Sequence, residues 1–289
     1  MPYTSSMVRT VQLRSGRSVP ALGQGTWGMG EDPAKRHTEI AALRLGLDLG
    51  MTLVDTAEMY GEGAAEEVVG EAITGRRGDV FLVSKIYPHN GTRFGTAVAC
   101  ERSLKRLRTN YLDLYLLHWR GSIPLAVTLD AFKLLKRAGK IRDYGVSNFD
   151  VDDMEEATAL PGGDAIATDQ VLYNLRHRGI EWDLLPWCRE RRMPIMAYSP
   201  IEHGGRDQRG MLEDPPLKRI AARHSATPAQ VALAWVLRHP DIIAIPKAAR
   251  ASHVRENRGA LDIRLTAQDL SELDHAFPPP SGKVPLEVR

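Results

Sequence analysis

The chain has 289 residues, enough for two ordinary domains or one large barrel, and its 43% hydrophobic and 26% charged residues are typical of a soluble globular protein. Its 38 basic and 36 acidic side chains give a net charge of +2, with the two signs mixed along the chain. This pattern lacks the basic stripe of an obligate nucleic-acid binder, so we expect no nucleic-acid partner. No apolar run approaches the ~18 residues that span a bilayer.

The first ten residues lack the apolar core of a secretory signal, which predicts a cytoplasmic protein without a membrane partner. The two cysteines, Cys100 and Cys188, lie in helix-like segments far from any Cys or His at metal-ligand spacing. We therefore expect neither a disulfide framework nor a metal site.

The predicted elements begin with a β-hairpin over residues 8–22, turning at Ser15 and Gly16. Eight short apolar runs then predict strands, at 20–27, 52–57, 80–86, 111–119, 141–149, 165–173, 193–200 and 242–248. Helical patterns separate them, at 37–50, 63–75, 94–109, 125–140 and 180–192. Two helical segments at 216–225 and 228–240 precede the last strand, and a further helix at 265–277 precedes a Pro-rich tail.

Strict alternation of strand and helix favours parallel pairing, because each parallel strand needs a crossover to return the chain. Eight such units in a chain of this length predict a (β/α)8 TIM barrel with an N-terminal β-hairpin and two extra helices. No linker or low-complexity segment divides the sequence, so we expect a single domain over residues 1–289.

Three predicted strands end on an ionisable residue, namely Asp55, Lys85 and His118, and Tyr60 follows Asp55 on the same loop. The carboxyl ends of barrel strands meet on one rim, so these four side chains are expected to converge. Lys85, held by Asp55, would lower the pKa of the Tyr60 phenol, and His118 would orient a substrate oxygen. The group is suited to protonating a carbonyl oxygen by general acid catalysis and would need a hydride donor from outside.

Each of these residues has a simpler interpretation when it is taken alone. Asp55 is a plausible helix cap, Lys85 a solvated charge at a strand end, and His118 a packed interior histidine. The catalytic interpretation is preferred because the simpler ones require four independent coincidences at corresponding points of successive βα units.

The segment GQGTWG at 23–28 satisfies G-x-G-x-x-G, and Asp48 lies about 20 residues further on, as in a Rossmann fingerprint. That fingerprint needs a strong strand before it and a helix that opens at once. Here Gly28, Gly30 and Pro33 interrupt the following segment, so we reject the Rossmann interpretation.

Several motifs together resemble the aldo-keto reductases, in order and over almost the entire chain. They are DTAEMYGEG at 55–63, Lys85 after VFLVS, LDLYLLHW at 112–119, GVSNF at 145–149, Gln170, AYSP at 197–200 and IPKA at 245–248. The segments KIYPHN at 85–90, 99–121 and PSGK at 280–283 are particularly similar to small bacterial members of the methylglyoxal reductase type.

The resemblance implies a barrel enzyme that uses NADPH to reduce aldehydes and ketones. It implies that Tyr60 is the general acid, Lys85 and Asp55 its tuning pair, and His118 the orienting group. The residues expected at the cofactor are Gly25, Thr26, Trp27, Asp55, Ser147, Asn148, Gln170, Tyr198, Ser199, Pro200, Ile201, Lys247, Ala248, His253, Glu256 and Asn257. Those expected at the substrate are Trp27, Tyr60, Tyr87, His118 and Trp119, with Arg120 and His203 as weaker candidates near the mouth.

The sequence departs from the family where the adenosine 2′-phosphate is expected. Lys247 is followed by Ala248 instead of a serine, and His253 replaces an arginine. A neutral imidazole cannot match the bidentate geometry of a guanidinium on phosphate. Either Arg250 or Arg255 could compensate, so we expect NADPH to be preferred with some NADH use.

A carbonyl reductase of broad specificity is therefore the leading hypothesis, with methylglyoxal-like dicarbonyls, aromatic aldehydes and bulkier cyclic ketones or keto-sugars as candidate substrates. The alternative is a nucleotide-sensing regulatory subunit resembling the β subunits of potassium channels, because a fold does not determine a function. The complete set of Asp55, Tyr60, Lys85 and His118 favours the enzyme. No long unpaired apolar face is visible in the pattern, which predicts a monomer.

Overall fold

A computed structural model describes residues 8–202 and 205–289 of the chain. It opens with an antiparallel hairpin of β1 (Thr10–Gln12) and β2 (Ser18–Pro20), as the sequence predicts. At its turn, Ser15 Oγ donates to Asp143 Oδ2 over 2.9 Å, and Arg17 Nη1 lies 3.2 Å from Asp113 Oδ1. Because both aspartates lie near the starts of barrel strands, the hairpin closes the end of the barrel opposite to the strand carboxyl ends.

Eight parallel strands form the barrel, in the order of the chain. They are β3 (Gln24–Gly25), β4 (Leu53–Asp55), β5 (Phe81–Ile86), β6 (Leu112–Leu117), β7 (Ile141–Ser147), β8 (Ile166–Leu172), β9 (Ile195–Tyr198) and β10 (Ile242–Ala244). Each lies within a run predicted to be a strand. The predicted (β/α)8 barrel with an N-terminal hairpin is therefore confirmed.

The barrel closes where the first strand meets the last. Parallel bridges join Leu22 to Ala244 and Gly25 to Lys247. A Cβ atom on Gly25 would lie 2.7 Å from the Ile245 carbonyl oxygen, so only glycine permits this approach. Gly23 and Gly25 of the apparent Rossmann fingerprint therefore serve strand contact, and no α-helix begins between residues 8 and 35.

The helices cover the outside of the barrel. They are α1 (Arg36–Asp48), α2 (Ala64–Ala72), α3 (Arg93–Arg106), α4 (Leu125–Arg137), α5 (Val151–Ala159), α6 (Leu184–Glu190), α7 (Arg206–Leu212), α8 (Pro215–Arg223), α9 (Pro228–Val236), α10 (Ala251–Gly259) and α11 (Ala267–Ala276). The extra segments predicted before the last strand are α8 and α9, and the predicted helix before the tail is α11.

Apolar periodicity does not by itself indicate α5, α7 or α10. Helix α5 buries only Met154 and Ala157, and α10 buries Val254 as its one apolar side chain. A helix that buries so little apolar surface leaves a weak signal in the sequence. Among the described residues, no helix is long and apolar enough to cross a membrane.

A buried carboxylate links helices α2 and α3 to strand β5. Glu66 on α2 accepts hydrogen bonds from Ser84 Oγ and from Arg106 Nε, each over 2.6 Å, and its side chain is fully buried. Removal of this carboxylate would leave a partly buried guanidinium and a buried hydroxyl without their acceptor. The neighbouring Glu67 is 54% exposed and lies 3.7 Å from Arg36.

We predict that Glu66→Ala lowers the free energy of unfolding by about 3 kcal/mol, since breaking a buried ion pair leaves an uncompensated charge. The matched control Glu67→Ala should change the same quantity by less than about 0.5 kcal/mol. Urea unfolding followed by circular dichroism measures both values. Equal destabilisation by the two substitutions would contradict the role assigned to Glu66.

Candidate active site

The predicted catalytic residues meet at the carboxyl-terminal rim of the barrel. Asp55 ends β4, Lys85 lies near the end of β5, and His118 directly follows β6. Lys85 Nζ lies 2.7 Å from Asp55 Oδ2 and donates hydrogen bonds to the Thr56 carbonyl oxygen at 2.9 Å and to Tyr60 Oη at 3.1 Å. The ammonium group thus has three partners, matching its three donors.

Burial and the charge of the Lys85 ammonium determine the protonation states of the ionisable side chains at the rim. Burial lowers the pKa of Lys85, but Asp55 and Tyr60 outweigh that effect and raise it above its usual value, so the ammonium persists at neutral pH. Burial raises the pKa of Tyr60, and the positive charge of Lys85 offsets only part of the rise. Lys85 therefore lowers the phenol pKa as predicted, but the net shift is upward, because loss of hydration outweighs the attraction of the cation.

His118 lies against the phenol ring. The ring centres of Tyr60 and His118 are 5.7 Å apart in an edge-to-face arrangement. Burial lowers the pKa of His118 to about 2, with a further contribution from the Lys85 charge, so its imidazole is neutral at physiological pH. Its buried Nδ1 atom has no hydrogen-bond partner within the part of the chain that the structure describes.

A second polar group lies at the ends of β7, β8 and β9. Gln170 Nε2 donates to Asp55 Oδ1 over 2.8 Å, which ties this group to the catalytic rim. Ser147 Oγ donates to the Gln170 carbonyl oxygen over 2.7 Å, and Tyr198 Oη donates to Asn148 Oδ1 over 2.9 Å. Asn148 has a left-handed backbone with φ of 60°, and such strained residues cluster at functional sites.

A long groove of about 1480 Å³ passes over both groups. Its lining includes most of the residues predicted to bind cofactor or substrate: Gly25, Thr26, Trp27, Asp55, Tyr60, His118, Ser147, Asn148, Gln170, Tyr198, Ser199, Pro200, Ile201, Lys247, His253, Glu256 and Asn257. Lys85 lies beneath them with a fully buried side chain. The groove is larger than a typical small-molecule pocket, as a dinucleotide with a second ligand would require.

Four of the candidate residues lie elsewhere. Ala248 is buried, and the neighbouring Ala249 lines the groove in its place. The rings of Tyr87 and Trp119 pack edge to face with centres 6.0 Å apart, beside the groove and not in its lining. Arg120 pairs with Glu156 over 3.0 Å. His203 lies outside the described residues.

The far end of the groove carries a cluster of basic groups. Lys247 follows β10, Arg250 precedes the first residue of α10, and His253 lies in the first turn of that helix. Arg250 lines the groove, whereas Arg255 is not among the lining residues. Of the two arginines that the sequence offered for a phosphate, only Arg250 is among the lining residues.

The groove residues that sequence reasoning missed include two charged residues that lie far apart in the chain. Glu202 follows β9 and Arg289 ends the tail, and their side chains pair over 2.8 Å beside Tyr198. No motif marks either residue, because the tail carries no periodic pattern and the pairing depends on how it folds back.

Comparison with known proteins identifies the family of this chain. The sequence model of the Aldo/keto reductase family matches residues 21–277. Methylglyoxal reductase YeaE of Escherichia coli is 53% identical over 97% of this chain and 99% of its own length. A crystal structure of an aldo/keto reductase from Klebsiella pneumoniae in complex with NADP and acetate has a TM-score of 0.95 and 50% identity, covering 97% of this chain and 99% of that one.

A second crystal structure of an aldo-keto reductase from Klebsiella pneumoniae, in complex with NADPH, also has a TM-score of 0.95 and 50% identity. It covers 98% of this chain and all of that chain. With the family match, the full-length relative and the barrel geometry taken together, the chain belongs to the aldo/keto reductase family.

Proposed function

We propose that this protein reduces small aldehydes and ketones to alcohols with NADPH, with Tyr60 as the proton donor. The observation that carries the proposal is the buried Lys85 ammonium, which contacts Asp55 on one side and the Tyr60 hydroxyl on the other, at the floor of a long groove. NADPH, when bound, supplies the hydride. The protein's own residues then provide the proton and the orientation of the carbonyl.

The residues at one end of the groove fit a nicotinamide. Ser147, Asn148 and Gln170 bring hydroxyl and amide groups to the lining, which suit a carboxamide. The ring of Tyr198 lines the same region and offers an aromatic face for stacking. At the other end, Lys247 and Arg250 offer positive charge to a phosphate, and α10 begins there with free backbone N–H groups.

The protonation states derived above suit reduction at neutral pH. Tyr60 is a neutral phenol and therefore has a proton to give as negative charge develops on a carbonyl oxygen. The adjacent Lys85 ammonium stabilises the phenolate that remains. Neutral His118 keeps a hydrogen-bonding imidazole beside Tyr60 without adding a second buried cation.

The proposed substrates are small dicarbonyls such as methylglyoxal. Trp27, Tyr60 and His118 line the groove together, and Trp27 is 51% exposed at its edge. A relative from Escherichia coli is a methylglyoxal reductase and one from Bacillus subtilis is a glyoxal reductase, which supports this substrate class. Tyr87 and Trp119 form an aromatic wall beside the groove that a bulkier carbonyl compound would reach.

We predict that Tyr60→Phe lowers kcat for methylglyoxal reduction by roughly 10²- to 10⁴-fold, the usual contribution of a general acid. The NADPH dissociation constant should change by less than about twofold, because the ring is retained. Absorbance at the nicotinamide band and fluorescence titration measure the two quantities. Tyr111→Phe is the matched control, because Tyr111 directly precedes β6 at the opposite end of the barrel.

Two results would contradict this assignment. Retention of activity by Tyr60→Phe would require another acid. If the wild-type protein bound NADPH but consumed none with any aldehyde or ketone, a nucleotide-sensing role would replace the enzymatic one.

We further predict that Arg250→Ala raises KM for NADPH about tenfold and leaves KM for NADH within about twofold. The reason is that a charge-assisted bond to phosphate is available only with the 2′-phosphate of NADPH. The control is Arg255→Ala, which removes the same charge from α10 outside the groove lining. An equal rise in KM for both cofactors would assign Arg250 a structural role.

A further inference from the structure

The C-terminal tail is attached to the rim of the groove by four side chains, which we call the tail clasp: His177, Glu202, Glu287 and Arg289. Arg289 Nη1 lies 2.8 Å from Glu202 Oε1, and His177 Nε2 lies 3.0 Å from Glu202 Oε2. His177 Nδ1 lies 2.8 Å from Glu287 Oε2. The clasp therefore joins the segment after β8, the segment after β9 and the tail.

Glu202 makes the clasp energetically significant. Its side chain is fully buried, and its backbone is left-handed with φ of 66°. A carboxylate that has lost its hydration needs cationic partners, which here are the arginine of the tail and the histidine of the β8 segment. Release of the tail would deprive a buried charge of a cationic partner, so the folded tail is strongly favoured.

The backbone of Arg289 continues from the clasp to the nicotinamide end of the groove. Its N–H donates to Tyr198 Oη over 3.2 Å, and Tyr198 Oη donates to Asn148 Oδ1 over 2.9 Å. Asn148 Nδ2 in turn donates to the His118 carbonyl oxygen over 3.1 Å. A hydroxyl has one proton to donate, so the N–H of the tail directs that proton toward Asn148.

We propose that Arg289 is a positioning residue for the dinucleotide: the clasp holds the tail, and the tail fixes the Tyr198 hydroxyl and the Asn148 amide in the orientation that receives the nicotinamide. The proposal rests on the proposed NADPH-dependent reduction. Its consequence is that the clasp contributes to cofactor affinity and leaves proton transfer from Tyr60 unchanged, because Arg289 acts on the groove through its bonds to Glu202 and Tyr198. Preorganised binding groups lower the cost of ordering on association.

The first test separates affinity from chemistry. Arg289→Ala should raise the dissociation constant of NADPH roughly tenfold, as expected for loss of a bond to a charged group. The single-turnover rate of methylglyoxal reduction at saturating NADPH should stay within about twofold. Arg289→Lys should show a smaller loss of affinity, because an ammonium can still pair with Glu202 and the backbone N–H remains.

The matched control is Lys283→Ala, which removes another basic side chain of the same tail. Lys283 Nζ lies 3.7 Å from the half-buried Asp183 Oδ2 and 3.9 Å from the exposed Asp152 Oδ1, and Lys283 itself is exposed, so these long pairs contribute little. NADPH affinity should be unchanged. Thermal unfolding of each variant establishes that the barrel is intact.

The second test asks whether Arg289 acts through the Tyr198 hydroxyl. Tyr198→Phe keeps the ring and removes the hydroxyl. If the tail acts through this group, the losses of NADPH affinity in Arg289→Ala and Tyr198→Phe will be clearly less than additive in the double variant. Additive losses would overturn the positioning role.

The clasp also predicts that NADPH affinity depends on pH. Hydrogen bonds to Glu202 raise the pKa of His177, burial opposes the rise, and Glu287 adds to it. Below the raised pKa, two positive and two negative charges balance. Above it, His177 loses its charge and its ionic attraction to Glu202 and Glu287, and its Nε2 atom keeps only the neutral contact with Arg289 Nη2 at 3.0 Å, so the clasp weakens. The other charged groups lining the crevice with His177 are Asp150, Asp183 and Lys283.

NADPH affinity should therefore fall as pH rises through the range in which His177 deprotonates, and His177→Gln should flatten this dependence.

The binding results distinguish failure of the clasp proposal from failure of the proposed function. If wild type and all variants bind NADPH equally, the clasp proposal fails while the proposed function stands. If the wild-type protein does not bind NADPH, both proposals fail.

Discussion

The ion pair between Lys85 and Asp55 is the interaction on which the rest of the rim depends. Both side chains are buried, and their charged atoms lie 2.7 Å apart. Removing two charges from water is costly and is tolerated only when the geometry and the remaining hydrogen bonds are good. Here Thr56 and Tyr60 complete the ammonium shell, and Gln170 binds the second carboxylate oxygen of Asp55.

The barrel accommodates this buried ion pair because the polar residues of the site lie at one end of the barrel and the stabilising contacts of the hairpin lie at the other. Neighbouring parallel strands bring Asp55 and Lys85 to the same rim: Asp55 is opposite Val83 in the register of β4 and β5, and Lys85 lies two residues further along β5 on the same face of the sheet. The hairpin and its aspartate partners occupy the other end. The groove can therefore carry polar and strained residues such as Asn148. The stability of the surrounding strands offsets the free-energy cost of its left-handed backbone.

Much of this arrangement could be predicted from the sequence, since the apolar runs are short and regularly separated by helical patterns. Each barrel strand lies within its predicted run, including β3, where Gly25 allows the close approach that shuts the barrel. The convergence of Asp55, Tyr60, Lys85 and His118 followed from their places at strand ends. Ala248 was placed in the groove by its position in a motif, whereas the turn of the backbone brings Ala249 there.

Two properties could not be derived from the sequence. The direction of the Tyr60 pKa depends on how completely the phenol is dehydrated, which is a result of packing. The pairing of Arg289 with Glu202 joins residues separated by helices α7 to α11, strand β10 and the tail, and neither residue lies in a recognisable pattern. Both depend on tertiary contacts. The first would affect proton transfer beside a bound dinucleotide, and the second would affect the binding of that dinucleotide.

Proton donation from Tyr60 requires the support of the buried Lys85 ammonium. The most direct measurement is the single-turnover rate of methylglyoxal reduction by Lys85→Met at saturating NADPH, with cofactor saturation verified by fluorescence. We expect the rate to fall on the order of 10²-fold or more, because the phenolate would form without its cation. A rate within about threefold of the wild-type value would contradict the claim.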